Sequence, residues 1–229
     1  TIPVIGHEIG QWCAYPDFTE IEKYKGVLKA TNFEIFRETL EENSMGSQAH
    51  DFLTASGKLQ VLCYKADIEA ALRTPGYAGF EMLQLHDFPG QGTALVGILN
   101  PFFESKGYVT PEEFRMFCSE TVPLARLKKM TYTNDEFFTT GIAISHFGPS
   151  PLRETWIVSR VLDSAGNTIF SDSTLTAEIE RGYTEQAAVF SMDLKAITEP
   201  SKLCYEVLLR GTKARNRWDF WVYPPADSI

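Results

Sequence analysis

Three stretches hold residue types that could do chemistry. The first is Pro3-Val-Ile-Gly-His-Glu8-Ile-Gly-Gln-Trp12, where a carboxylate stands at the end of an apolar run. In parallel α/β architectures functional groups collect at the C-terminal ends of strands. Glu8 therefore reads either as a reactive carboxylate or as a salt-bridged strand end. His7, Gln11, Trp12 and Tyr15 around it are hydrogen-bonding and stacking groups of the kind that bind sugars. The second stretch, Gly79-Phe-Glu-Met-Leu-Gln-Leu-His-Asp-Phe-Pro-Gly90, ends an apolar run in Gln84, His86 and Asp87, followed by a Pro-Gly-Gln-Gly turn. A His-Asp pair could serve a nucleophilic triad, but the chain has no Gly-x-Ser-x-Gly elbow. Gly90-Gln-Gly92 lacks the further glycine of a dinucleotide fingerprint. The third stretch is Asn216-Arg-Trp-Asp-Phe-Trp-Val-Tyr-Pro224. On a strand, Trp218, Phe220 and Val222 share one face and Asp219, Trp221 and Tyr223 the other. That is either a carbohydrate-stacking patch or a last strand packed on both faces.

No metal site and no cofactor is expected. Cys13, Cys63, Cys118 and Cys204 form no Cys-x-x-Cys pair and keep no ligand spacing with His. They read as small hydrophobes.

The elements that must position these groups change character near residue 128. Before it, helical spacing dominates: 17–26, 32–40, and a long stretch from Ser47 to Arg73, with Phe52, Leu53, Leu59, Leu62, Cys63, Ala66, Ile68, Ala71 and Leu72 as its apolar positions, stopped by Thr74-Pro75-Gly76. Apolar strands flank the helices, near 3–8 and 78–86, and are expected to pair in parallel. Thr110-Pro-Glu-Glu113 is a helix start, with Thr110 as N-cap and Glu113 closing a capping box. After Lys128 the period becomes two, in 138–145, 154–162 and 203–209, with turn clusters between, Asp163-Ser-Ala-Gly-Asn167 among them. Residues from about 130 to 226 are expected to form an antiparallel sandwich.

Composition excludes several classes. Of the 229 residues, 21 are basic and 30 acidic, a net charge of −9, so no bulk attraction to nucleic acid or an anionic membrane is expected. No window approaches the roughly 18–20 apolar residues of a membrane helix. No targeting segment is visible. Thr1 opens almost within a strand, so the chain reads as a piece of a longer protein.

The order of the first two stretches resembles the last two strands of the (β/α)8 barrel in glycoside hydrolase family 2-type enzymes, of the β-galactosidase-like kind found in gut Bacteroidetes. The tail Asn216-x-Trp-Asp-Phe-Trp-Val-Tyr-Pro resembles the end of the sandwich that follows that barrel. The resemblance spans nearly the whole chain. It implies a partial barrel, its last two βα units, over 1–128, and an immunoglobulin-like antiparallel β-sandwich over 129–229. It implies a retaining glycosidase with Glu8 as nucleophile, and His7, Gln11, Trp12, His86 and Asp87 against the sugar. The family's acid/base is an Asn-Glu pair, a dipeptide this sequence lacks, so it is expected upstream and the chain alone is expected to be inactive. The nucleophile strand of better-known β-galactosidases continues Glu-Tyr-Ala-His; here it continues Glu8-Ile-Gly-Gln-Trp12. Implied partners are a carbohydrate substrate and the upstream barrel and sugar-binding domains, and the implied location is periplasmic or extracellular. The alternative is a non-catalytic carbohydrate-binding or domain-packing sandwich.

Overall fold

A computed structural model describes residues 2–88 and 94–225. The Pro89-Gly-Gln-Gly92 turn lies outside the described residues. The chain divides into two compact units, 1–114 and 115–229. It is mostly β-structure, with ten strands in three sheets among the described residues.

In the first unit β1 (Val4–Ile9) pairs in parallel with β2 (Tyr77–Met82), as the two apolar runs predict. Partners run from Val4↔Tyr77 to Ile9↔Met82, and the register slips between Gly6 and Ile9. A parallel pair needs a long crossover. Here it holds a 3₁₀ helix (Phe18–Lys23), α1 (Thr31–Glu42) and α2 (Ala49–Arg73). The 17–26 stretch is thus a six-residue 3₁₀ helix, capped by Asp17, whose carboxylate accepts from Thr19 N. The strand foreseen to residue 86 stops at Met82. Beyond it the 94–99 segment returns beside the chain, with Asp87 N donating to Leu99 O and Ile98 N to Leu85 O. Among the described residues no third strand joins β1 and β2, so the expected partial barrel is here a two-stranded parallel sheet with two helices.

On α2 the buried positions are Leu53, Gly57, Gln60, Tyr64 and Ile68, a stripe at three-and-four spacing, with Glu69 beside it. Leu59 and Leu62, which hydropathy puts inside, are about 60% exposed. Gly57 is required by close approach. A Cβ there would stand 2.3 Å from the Tyr108 ring. No helix of the described residues is long and apolar enough to cross a membrane.

The second unit opens near α3 (Pro111–Arg115), whose start is the expected capping box. Glu113 N donates to Thr110 Oγ1 (3.2 Å), and Thr110 N donates back to Glu113 Oε2 (2.9 Å). Two sheets follow. One orders β3 (Thr121–Ala125), β5 (Phe137–His146) and β8 (Gly182–Asp193). The other orders β4 (Thr131–Thr133), β10 (Arg215–Tyr223), β9 (Ser201–Leu209), β6 (Leu152–Leu162) and β7 (Thr168–Ile179). All pairings are antiparallel except β4 with β10. Inward side chains of both sheets form one core, in which Phe138 stacks on Phe220 (centroids 4.3 Å apart) and meets Phe190 and Tyr205. This is a sandwich, as the period-two pattern requires. Trp218, Phe220 and Val222 face the core, while Trp221 and Tyr223 face outward. The 163–167 turn is local chemistry: Asp163 Oδ1 accepts from Ala165 N and Asn167 N, and Gly166 supplies a φ of 85°.

Candidate active site

Glu8 lies in the slip of the β1 register, at the C-terminal end of the parallel pair. Its φ is 54°, in the left-handed region that a non-glycine residue adopts at a cost. Such bulges re-aim a side chain. One carboxylate oxygen is 3.6 Å from His7 Nε2, and the other accepts from Gln11 Nε2 at 3.3 Å. His7 Nδ1 in turn lies 2.5 Å from Glu81 Oε1 on β2. The hydrogen bond to Glu81, with the charges of Glu8 and Glu81, raises the His7 pKa above the ordinary imidazole value. The result is an exposed row: Glu81, His7, Glu8, Gln11.

Gly10 follows with φ 77°, and its missing Cβ leaves room for the Tyr64 ring, which a Cβ would meet at 2.1 Å. The chain then turns to Trp12. The Trp12 indole is partly exposed and donates to Asp67 Oδ2 (2.8 Å), while its carbonyl accepts from Gln60 Nε2 (2.6 Å). Tyr15 packs on Phe18, Phe36 and Phe52.

The residues beyond β2 are arranged differently. His86 stacks on Phe103 with centroids 4.3 Å apart. Asp87 is buried; its oxygens take Lys106 Nζ at 2.7 and 2.6 Å, and Oδ1 also accepts from Gly97 N at 2.9 Å. Burial pushes the Asp87 carboxyl up, against the pull of Lys106. Sequence reasoning had no signal for Lys106, Gln60, Tyr64 or Tyr108, which fasten the 94–99 segment. Gln60 donates to Leu95 O (3.0 Å), Tyr64 OH to Val96 O, and Tyr108 OH to Gln60 Oε1 (2.5 Å). Contacts thus join His7, Glu8 and Gln11 directly, while Trp12, His86 and Asp87 each have other partners.

Among the described residues no group of three or more His, Cys, Asp or Glu has the geometry to hold a metal ion. The cysteines are free, Cys13 is exposed, and the other three are half-buried, less sealed than small core hydrophobes would be.

A family model described as a domain of unknown function (DUF8488) matches residues 136–224, most of the sandwich. A search of curated proteins gives no match. Solved structures similar to this chain include glycoside hydrolases. A β-glucuronidase from Parabacteroides merdae is 13% identical over 45% of this chain and 14% of its own, with a TM-score of 0.30. An exo-chitosanase from Amycolatopsis orientalis is 10% identical over 76% of this chain and 19% of its own, with a TM-score of 0.48. A superoxide reductase from Ignicoccus hospitalis is also similar, 16% identical over 45% of this chain and 80% of its own, with a TM-score of 0.24. The chain spans less than a fifth of the two glycosidases. At these scores the likenesses assign neither activity nor site.

Proposed function

We propose that the chain is part of a retaining glycoside hydrolase of β-galactosidase-like type. On this reading its first unit is the closing portion of a (β/α)8 barrel and its second an immunoglobulin-like sandwich. Glu8 is the nucleophile. His7 and Gln11 orient its carboxylate, Trp12 and His86 border the sugar, and buried Asp87 acts by holding the 94–99 segment beside them. The observation that carries the reading is the backbone of Glu8. A carboxylate is held at positive φ in a bulge at the C-terminal end of a parallel strand, with the His7 ring 3.6 Å away on one side and the Gln11 amide donating on the other. Strain of that kind concentrates where a side chain must be aimed.

Retaining chemistry needs a second carboxyl group roughly 5–5.5 Å from the nucleophile, acting as acid and then as base. The resemblance assigns it to an Asn-Glu strand end in chain outside these residues. The partners are then a glycan and that remaining chain, and the location is periplasmic or extracellular. The test is to trap the nucleophile. A 2-deoxy-2-fluoro glycoside is given to the longest polypeptide containing this chain, and the labelled peptide is identified by mass spectrometry. The expected result is a glycosyl ester on Glu8, lost in Glu8→Gln. A label on another carboxylate, or turnover that survives Glu8→Gln, overturns it.

A further inference from the structure

Glu20, on the 3₁₀ helix, is almost fully buried, and its Oε2 has no hydrogen-bond partner among the described residues. The helix is pinned to the 94–108 segment around it. Phe18, Ile21 and Tyr24 pack on Ala30, Phe33 and Leu95, the Tyr24 ring meets Phe102 edge-on at 5.2 Å, and Lys23 pairs with Glu104. Charged and titratable groups face Glu20 from each side: Asp17, Lys23 and Tyr24 on its own element, Asp87 after β2, and Lys106 and Tyr108 on the 94–108 segment. Lys106 is the nearest source of compensation from the segment, but its ammonium is already occupied. It donates to Asp87, touching both carboxylate oxygens, and to Gly97 O at 2.9 Å. An ammonium has three donors. An ionised Glu20 would therefore be a second buried carboxylate near Asp87, facing two cations that are both already paired, Lys106 with Asp87 and Lys23 with Glu104.

We propose that the Glu20 carboxyl is a proton-operated latch between the 3₁₀ helix and the 94–108 segment, closed while it carries its proton and loosened when it does not. The inference does not depend on the glycosidase reading, since it concerns only how this segment is held. Burial, then the charges of Asp87 and Asp17, hold the closed-state carboxyl up at about 7, against an ordinary value of 4.5. A raised pKa in the closed state favours closure fully below the ordinary value. That advantage is lost as pH rises from 4.5 to about 7 and changes no further above it.

The test is hydrogen exchange of the 94–108 amides in the intact chain between pH 4 and 8, corrected for intrinsic rates. Protection is expected to fall by up to about 10²-fold across that window, since each unit of pKa difference is tenfold in the closing equilibrium. Glu20→Gln is expected to flatten the profile. A flat wild-type profile, or an unchanged slope in Glu20→Gln, overturns the proposal. Should that variant fail to fold, the wild-type Glu20 side-chain carbonyl carbon shift decides: a midpoint near 7 supports the latch, and one in the ordinary carboxylate range rejects it.

Discussion

Between the sheets of the second unit, Phe138 lies on Phe220 and both are sealed from water. In the first unit the buried positions hold, beside apolar side chains such as Phe33, Tyr64 and Ile68, an amide, Gln60, and an ion pair, Asp87 with Lys106. The sandwich core rests mainly on apolar area in the right period, and a near-miss in one side chain leaves the rest in place. The first unit is stitched by directional bonds to main-chain atoms at Trp12, Leu95, Val96 and Gly97. Each bond there is worth little net, but leaving one partner alone and buried is costly. Such a scaffold holds loops in one geometry.

Removing one partner of the buried pair is expected to have an effect as large as any core truncation. Lys106→Met leaves the Asp87 carboxylate buried without its cation, and should destabilise the first unit by about 3–5 kcal/mol. Denaturant unfolding, followed by exchange of the 94–108 amides, checks it. Adding Asp87→Leu should recover much of the loss, because no lone charge then remains. If the single variant costs nothing, the contrast between the units is wrong.

Phe138→Ala should cost about 3–5 kcal/mol in the second unit, through lost burial and a cavity against Phe190, Tyr205 and Phe220. Phe138→Leu should cost far less, whereas no neutral residue of similar size replaces Lys106 as gently. Comparing the two conservative variants sharpens the difference between area and directional bonding.

Thr110→Ala removes one half of the capping box and should destabilise α3 by about 0.5–2 kcal/mol, visible as faster exchange at Glu113 N. The smallest effect is expected in the exposed row. His7 should titrate above the ordinary imidazole value, and Glu81→Gln should bring its midpoint down, because the Glu81 bond is the largest cause of the rise. Proton NMR of the His7 ring reads it. An unchanged midpoint would mean that the row of Glu81, His7 and Glu8 does not persist in solution.

The sequence by itself determined what periodicity and local chemistry control. The β1–β2 parallel pair, the long helix before Pro75, the Thr110 capping box, the Asp163 turn and the inward face of β10 all follow from spacing of three-and-four or two, or from bonds between neighbours. The strand end at Glu8 was also legible, whereas the strand expected to reach His86 stops at Met82. What tertiary structure decided is which polar groups go inside. Hydropathy places Leu59 and Leu62 within and Gln60 without; the fold does the reverse, because only Gln60 meets Trp12 O, Leu95 O and the Tyr108 hydroxyl at once. The same holds for Asp87, whose carboxylate turns inward to a lysine nineteen residues on. It holds too for the positive φ of Glu8, set by a register slip against β2. A buried hydrogen bond depends on the distance between two atoms far apart in the chain, and no pattern within one segment records that distance.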